Sequence, residues 1–182
     1  MDRSIFGRLT EDTLCINGVM KIQPLTQEQW SAVREIYLSG ISTGDATFET
    51  EAPSWERWHT THLDFARLIV TEGTAILGWA ALSPVSLRKV YAGVAEVSVY
   101  VAETARGRGL GRRLLETLIA ESEKNDIWTL QASIFPENVA SLRLHEACGF
   151  RAVGRRERIA KREGIWRDTI LVERRSAVCG LQ

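Results

Sequence analysis

The stretch Val94–Arg112, VAEVSVYVAETARGRGLGR, decides the fold. In its first part, valines alternate with Glu96, Ser98 and Tyr100, which is the period-two pattern of a β-strand. Glycines interleaved with arginines follow as a turn, and the leucines from Leu110 onward recur at helical spacing. The stretch therefore predicts a strand, a glycine-rich turn and a long helix in direct succession.

The glycine-rich turn has the properties of an anion site. Glycines let backbone N–H groups approach a ligand closely, and a helix N-terminus presents unpaired N–H donors. Positive side chains at a helix N-terminus are unfavourable because they oppose the helix dipole, and a bound anion would remove this conflict. Four arginines lie at this helix start: Arg106, Arg108, Arg112 and Arg113. The sequence lacks GxxxxGK[ST], which disfavours a P-loop nucleotide site, and its glycine spacing differs from the GxGxxG of dinucleotide-binding folds. The turn is therefore predicted to bind the phosphate of a different kind of ligand. The alternative is a plain turn with solvated arginines.

The elements around this stretch predict an α/β (α+β) fold. Periodicity and breakers give helices at about 26–40, 53–65, from 110 onward and 138–148, and strands at 21–23, 67–71, 75–82, 128–135, 150–153 and 169–172. Strands, hairpins and helices are mixed without a repeat or linker. We expect one mixed, mostly antiparallel sheet flanked by helices. Residues 1–19 are expected to be an N-terminal extension, 20–176 the domain and 177–182 a C-terminal tail.

Composition excludes several classes of protein. The 182 residues carry 23 Lys plus Arg and 23 Asp plus Glu, a net charge of zero that disfavours nucleic-acid binding. No apolar run approaches the roughly 20 residues that cross a bilayer, so no membrane partner is expected. The three cysteines, Cys15, Cys148 and Cys179, are scattered, which predicts free thiols, a cytoplasmic protein and no metal site.

A second motif, Asn138–Phe150 (NVASLRLHEACGF), follows about 30 residues after the turn. It resembles N-x-x-[AS]-x-x-x-[YH]-x-x-x-G-[FY], and Arg106–Gly111 resembles [RQ]-x-x-G-x-[GA]. Both are signatures of the GNAT superfamily of N-acetyltransferases. The resemblance spans about residues 22–173. It implies a single GNAT domain, acetyl-CoA as co-substrate, and a sheet splayed open where acetyl-CoA binds.

Three further stretches narrow the resemblance. Glu96–Val101, the triplet Leu144-His145-Glu146 and the late Trp166-Arg167-Asp168 look like the phosphinothricin N-acetyltransferase group. That group includes enzymes that act on methionine sulfone, methionine sulfoximine and arsinothricin, and residues 90–96 look most like the arsinothricin enzymes. The resemblance implies acetylation of the α-amine of a small amino-acid-like toxin, resistance as the outcome, and a homodimer.

The resemblance also implies catalytic roles. Glu96 is the expected base for the substrate ammonium, because a glutamate among strand valines that faces a cleft is suited to accept a proton; the alternative is a solvated position. His145 is the expected proton donor to the departing thiolate, with Tyr100 as a rival. A backbone N–H near Val99 is expected to polarise the thioester carbonyl. Cys148 is expected to pack, not to act as a nucleophile.

The resemblance also implies which residues bind the two substrates. The expected acetyl-CoA contacts are Val99, Val101, Arg106, Gly107, Arg108, Gly109, Gly111, Arg112, Asn138 and Ser141. Asn138 and Ser141 could instead serve only to cap their helix. The expected substrate contacts are Phe48, Glu49, Arg88, Lys89 and Trp166. Arg88 and Lys89 would replace arginines that the group carries at positions aligned here with Ser86 and Ala92.

Three alternatives stay open at this stage. A protein N-terminal acetyltransferase would need an open peptide groove. An aminoglycoside acetyltransferase would need an acidic substrate surface, and residues 83–93 contain no acidic residue. A non-catalytic acetyl-CoA-binding module could lose Glu96 or His145, and both are present.

Overall fold

The chain folds around a mixed β-sheet. The computed structural model describes residues 14–16 and 20–181. The strands of this part are β1 (Leu14–Ile16), β2 (Met20–Pro24), β3 (Leu68–Glu72), β4 (Ala75–Pro84), β5 (Val94–Val101), β6 (Thr129–Ile134), β7 (Arg151–Arg162) and β8 (Ile165–Arg175). Their order is β1-β2-β3-β4-β5-β6-β8-β7, and β5–β6 is the parallel pair among otherwise antiparallel neighbours. The predicted mixed, mostly antiparallel sheet is confirmed.

Helices cover both faces of this sheet. They are α1 (Trp30–Ser42), α2 (Trp55–Thr61), α3 (Leu110–Lys124) and α4 (Val139–Ala147). Trp79 on β4 belongs to the apolar cluster of α1 and α2, whereas its neighbour Ala80 belongs to the cluster of α3. This alternation follows from the pleat, which turns successive side chains to opposite faces. Among the described helices, none combines the length and apolarity that spanning a membrane requires.

Each face has its own core. Leu114, Leu115 and Leu118 of α3 are fully buried under one face. Trp58 and Trp79 are as deeply buried under the other. Fully burying one such aliphatic side chain stabilises a fold by roughly 1.5–3 kcal/mol. The two cores therefore stabilise the sheet from both sides.

The sheet opens between β5 and β6. Their ladder pairs Val94 with Thr129, Ala95 with Leu130, and Glu96 with Gln131. Both strands continue beyond this last pair, to Val101 and Ile134. The strands therefore part after Glu96 and leave a wedge-shaped split, as the resemblance implied.

Gly40 lies inside α1, whereas the sequence predicted that it would end this helix. A Cβ at Gly40 would stand 2.7 Å from the ring of Tyr100. The glycine therefore serves a close approach of helix and strand, and the helix continues to Ser42 because no backbone break is required.

The last two strands are much longer than the apolar pattern predicted. The predicted strands, residues 150–153 and 169–172, correspond to only part of a longer hairpin. In this hairpin β7 and β8 are 12 and 11 residues long. Most of β7 is exposed and charged, so alternation of apolar residues gives no signal there. The turn is made by Glu163 and Gly164, both with positive φ.

The predicted end segments can be placed only in part. Residues 14–16 pair with β2 and so extend the sheet, while residues 1–13 and 17–19 of the expected N-terminal extension lie outside the described residues. The C-terminal segment folds back after Ser176. The Ser176 hydroxyl accepts hydrogen bonds from the backbone N–H groups of Val178 and Cys179, at 3.0 and 3.2 Å.

Candidate functional site

A cleft of about 920 Å³ lies where β5 and β6 part. One wall is formed by β5 beyond Glu96, and the other by β6 and the start of α4. Loop 43–49, which connects α1 to α2, borders the same space, and the glycine-rich turn before α3 lines it as well. The two sequence motifs therefore meet in one cleft, although about 30 residues separate them.

The glycine-rich turn presents its backbone to the cleft. Gly107 and Gly109 both have φ of +75°, a conformation that disfavours other residues. No atom lies within 4 Å of a Cβ built on either glycine, so the space beside the turn is open. Gly109 is the N-cap of α3. Free N–H groups at a helix start beside open space fit a phosphate group of a ligand.

The arginines of the turn have different environments. Arg106 and Arg112 line the cleft, and Arg112 Nε also bonds Glu116 on the next helical turn, at 2.7 Å. Arg108 was predicted as a cofactor contact, but its side chain does not line the cleft. Its guanidinium pairs with Glu72 of β3 at 2.7 Å instead.

Glu96 is half-buried and lines the cleft at the last paired position of β5. One carboxylate oxygen accepts a hydrogen bond from Gln131 Nε2 at 3.1 Å. Gln131 lies directly opposite on β6. Sequence reasoning missed Gln131, because its role depends on a parallel pairing that the local pattern does not reveal.

Tyr100 lines the cleft four residues after Glu96, on the same face of β5. Its ring stacks on Trp79 at 4.7 Å and meets Tyr37 edge-on at 4.9 Å. Burial is the main cause that raises the pKa of Tyr100 well above its ordinary value, and the neighbouring Tyr37 adds to the shift. Tyr100 therefore stays a neutral hydroxyl at any physiological pH.

His145 lines the cleft from α4 and is 3% exposed. Its Nδ1 lies 2.8 Å from the carbonyl oxygen of Ser141, which can only accept, so this nitrogen carries a proton. Nε2 is buried and has no hydrogen-bond partner within the described part of the chain. Burial lowers the pKa of His145 below its usual value. The ring is thus neutral near pH 7, with Nε2 as a free acceptor.

Asn138 and Ser141 both line the cleft. Asn138 Oδ1 accepts a hydrogen bond from Ser141 N at 3.1 Å, so the predicted capping of α4 is observed. Val99 and Val101 line the opposite wall. Phe48 and Glu49 belong to the lining through loop 43–49, and the Phe48 ring meets Phe135 edge-on at 4.7 Å.

Three predicted substrate residues lie elsewhere. Arg88 and Lys89 are exposed in the loop between β4 and β5 and do not line the cleft. Trp166 is 54% exposed, with Lys161 Nζ at 4.7 Å above its ring. Because successive strand residues point to opposite faces, it is the next residue, Arg167, that contacts the cleft border.

The charge of the cleft is uneven. Among the described residues, the cationic side chains of the lining are Arg106 and Arg112, both at the turn. The other charged lining residues are acidic: Asp45, Glu49, Glu96 and Glu137. Away from the turn, the cleft therefore attracts a cationic group.

Cys148 is not suited to nucleophilic catalysis. It packs partly buried beside the core under α3. Desolvation raises the pKa of its thiol, which disfavours the reactive thiolate. Across residues 20–181, no group of three or more His, Cys, Asp or Glu side chains is arranged to hold a metal ion.

Comparison with known proteins agrees with this geometry. The model of the acetyltransferase (GNAT) family matches residues 27–150. The phosphinothricin N-acetyltransferase of Alcaligenes faecalis is 32% identical over 159 residues, covering 84% of this chain and 81% of that protein. The L-methionine sulfoximine/L-methionine sulfone acetyltransferase of Salmonella typhimurium is 26% identical over 159 residues, covering 85% and 93%.

A solved structure shows the same fold. The phosphinothricin acetyltransferase from Sinorhizobium meliloti, solved in complex with acetyl-CoA, superposes with a TM-score of 0.81 at 24% identity, covering 90% of this chain and 92% of that one. Since the family model also spans more than half of the sequence, the chain belongs to the acetyltransferase (GNAT) family and is an acetyl-CoA-dependent N-acetyltransferase.

Proposed function

We propose that this enzyme acetylates the α-amine of a small amino-acid-like toxin of the arsinothricin, phosphinothricin or methionine sulfone/sulfoximine type, and so confers resistance. The observation that carries the proposal is the position of Glu96, half-buried at the point where the two strands part. The relatives that act on phosphinothricin and on methionine sulfoximine support the substrate class.

The proposed reaction needs one base and one oxyanion donor. Acetyl-CoA lies in the split with its pyrophosphate at the N-terminus of α3, against Gly107, Gly109 and Gly111 and beside Arg106 and Arg112. Glu96 accepts a proton from the substrate ammonium, directly or through water. The free amine attacks the thioester carbonyl carbon. A tetrahedral intermediate forms, and the Val99 N–H stabilises its oxyanion. The C–S bond then breaks, the nitrogen loses its second proton to water, and coenzyme A leaves as a thiolate.

Tyr100 and His145 are the two candidates for assisting the departing thiolate. Neutral His145 carries its proton on Nδ1, which is bound to Ser141. Because burial makes Tyr100 a weak acid, its hydroxyl stabilises the sulfur by donating a hydrogen bond, and the proton that the thiolate finally takes comes from water. His145 is then an acceptor at Nε2.

A second acceptor class, a polyamine or an aminoglycoside, is favoured by one observation. The cleft away from the turn is lined by four carboxylates, Asp45, Glu49, Glu96 and Glu137. The sequence analysis counted against aminoglycosides because residues 83–93 contain no acidic residue. The structure instead gathers acidic residues from other segments.

The test is thiol release from acetyl-CoA, measured against phosphinothricin, arsinothricin, methionine sulfone, methionine sulfoximine, spermidine and kanamycin. Glu96→Gln should lower the turnover of the preferred amine by about 100-fold or more. Glu103→Gln is the matched control, since Glu103 is exposed and lies outside the cleft lining. Turnover of the cationic amines alone would replace the amino-acid proposal. Undiminished activity of Glu96→Gln would remove Glu96 as the base.

We also propose a cytoplasmic homodimer. The thiols of Cys148 and Cys179 are free, as is typical of a reducing compartment such as the cytoplasm.

The homodimer is supported by the long edge strand β7. This strand is mostly exposed, with apolar Val153 and Ile159 among its residues, and proteins commonly cover an open sheet edge of this length. Light scattering during size-exclusion chromatography would measure the mass of the protein in solution, and the mass of a monomer would refute the homodimer.

A further inference from the structure

Arg167 on β8 holds loop 43–49 by several contacts. Its Nη1 donates to the carbonyl oxygen of Gly44 at 3.1 Å, and its Nη2 donates to Asp45 Oδ1 at 2.8 Å. Nη2 also lies 3.1 Å from Glu137 Oε2, just before α4. One guanidinium thus joins the loop to the segment that enters α4.

The Arg167 guanidinium is fixed in this position by its surroundings. It lies over the ring of Phe135, with Cζ 4.2 Å from the ring centroid, and the side chain is 19% exposed. Phe135 in turn meets Phe48 of the loop edge-on. Bonds between a partly buried guanidinium and carboxylates are stronger than those of exposed pairs.

The loop is tied to α4 by a second residue. Asn138 Nδ2 donates to the carbonyl oxygen of Asp45 at 3.2 Å, while Oδ1 of the same side chain caps α4. Arg162 on β7 adds a bond to the carbonyl oxygen of Ile41 at 3.0 Å. The loop is therefore held from both the hairpin and the start of α4.

We propose that Arg167 is a positioning residue that sets the distance between the amine and the thioester. Loop 43–49 borders the cleft beside Tyr100 and β5, whereas Glu137 and Asn138 belong to the wall that leads into α4. Joining these two walls fixes the width of the cleft where the two substrates must meet. Small errors in this distance slow transfer strongly, because the reacting atoms must be held in near contact. The inference rests on N-acetyltransfer itself and not on which amine is the substrate.

The same contacts explain why Arg167 does not bind the substrate. Its donors point to Gly44, Asp45 and Glu137, all of which belong to the protein. Its loss should therefore leave acetyl-CoA binding nearly intact, because the glycine-rich turn is untouched. It should raise the KM for the amine and lower kcat, because loop 43–49 loses its main attachment.

The experiment compares Arg167→Met with Arg155→Met. Arg155 is the matched control: it forms an ion pair with Asp168 at 2.5 Å on the same hairpin but contacts no residue of the loop. Hydrogen–deuterium exchange is measured for the backbone amides of residues 43–49. We expect exchange to rise by about tenfold or more in Arg167→Met and to stay unchanged in Arg155→Met.

Two further readouts separate positioning from general destabilisation. Acetyl-CoA binding by calorimetry should change less than about twofold in Arg167→Met, while kcat/KM for the amine identified in the substrate screen falls about tenfold or more. Arg167→Lys keeps the positive charge but loses the planar guanidinium whose two nitrogens bind separate partners, so it should retain only part of the wild-type activity. Unchanged loop exchange, or an equal loss of acetyl-CoA binding, would overturn the proposal. The exchange measurement needs no substrate, so unchanged exchange overturns the proposal even if every amine in the screen fails.

Discussion

At the scale of single residues, the pair Glu96 and Gln131 explains how a carboxylate can be held in one orientation inside a cleft. The amide of Gln131 occupies one oxygen of Glu96 at 3.1 Å. The geometry of the parallel pair thus leaves the remaining lone pairs of the carboxylate for a substrate proton. If Glu96 is the base, as proposed, a carboxylate held in this way does not have to reorganise when the substrate ammonium arrives.

Replacing Gln131 by leucine should impair catalysis without affecting folding. The leucine keeps most of the volume but leaves Glu96 without its donor, so kcat/KM for the amine should fall by about tenfold. Ser133→Ala is the control, because Ser133 lines the same cleft without contacting Glu96. An unchanged kcat/KM in the Gln131→Leu variant would show that the hydrogen bond has no catalytic effect.

At the scale of elements, the packing of α1 on β5 determines where Tyr100 lies. Gly40 allows the helix to press against the Tyr100 ring, which is held from below by Trp79. The hydroxyl is therefore placed by three elements together and not by rotamer preference alone. A tight contact of this kind makes the position sensitive to a single added methyl group.

Gly40→Ala should destabilise the protein even though alanine favours helices by about 1 kcal/mol over glycine. The new Cβ would overlap the Tyr100 ring at 2.7 Å, and overpacking of this kind costs about 1–3 kcal/mol. Denaturant unfolding should show a net loss, and kcat should drop as Tyr100 moves. Glu35→Ala, at an exposed position of α1, should be neutral or stabilising. A stabilised and fully active Gly40→Ala variant would contradict the proposed role of the contact.

At the scale of the whole molecule, stability should depend on pH through a buried imidazole remote from the cleft. His62 follows α2, where its ring stacks on Trp58 at 4.2 Å and Nδ1 bonds the Trp58 carbonyl oxygen at 2.8 Å. Burial, opposed by the bond to the Trp58 carbonyl and assisted by the neighbouring Arg67, lowers the pKa of His62 to about 4. The folded state therefore resists a proton that the unfolded chain accepts.

The free energy of unfolding should therefore fall as the pH drops. It is unaffected by His62 above pH 6.5, where the ring is neutral in both states, and it decreases between pH 6.5 and about 4. The full loss is on the order of 3 kcal/mol. Urea unfolding at pH 7 and pH 5 should show a smaller difference for His62→Phe, which keeps the stack on Trp58. An equal difference in both proteins would mean that other groups carry the pH dependence. His145, whose pKa is also lowered, contributes equally to both proteins.

Much of the fold was predictable because its signals are local. The alternation in Val94–Val101 and the leucines of α3 give these elements directly. The two motifs predicted Asn138 and the glycine-rich turn, and the strand alternation with the narrower resemblance predicted Glu96; all of them line one cleft. Gln131 and Arg167 were missed because their roles come from pairing between distant strands. Arg88 and Trp166 lie outside the cleft lining, because a charge in a loop, or an aromatic residue in an exposed hairpin, does not reveal in which direction it points.

The place where the β5–β6 ladder ends has a mechanical consequence. Glu96 and Gln131 form its last pair, so they stand at the vertex of the wedge. If the two halves of the sheet rock about this vertex, each atom moves in proportion to its lever arm. The far ends of the two strands, at Val101 and Ile134, then travel furthest, while the Glu96 carboxylate at the fulcrum hardly moves. A bulky thiol product can thus leave through a widening mouth while Glu96 keeps its alignment.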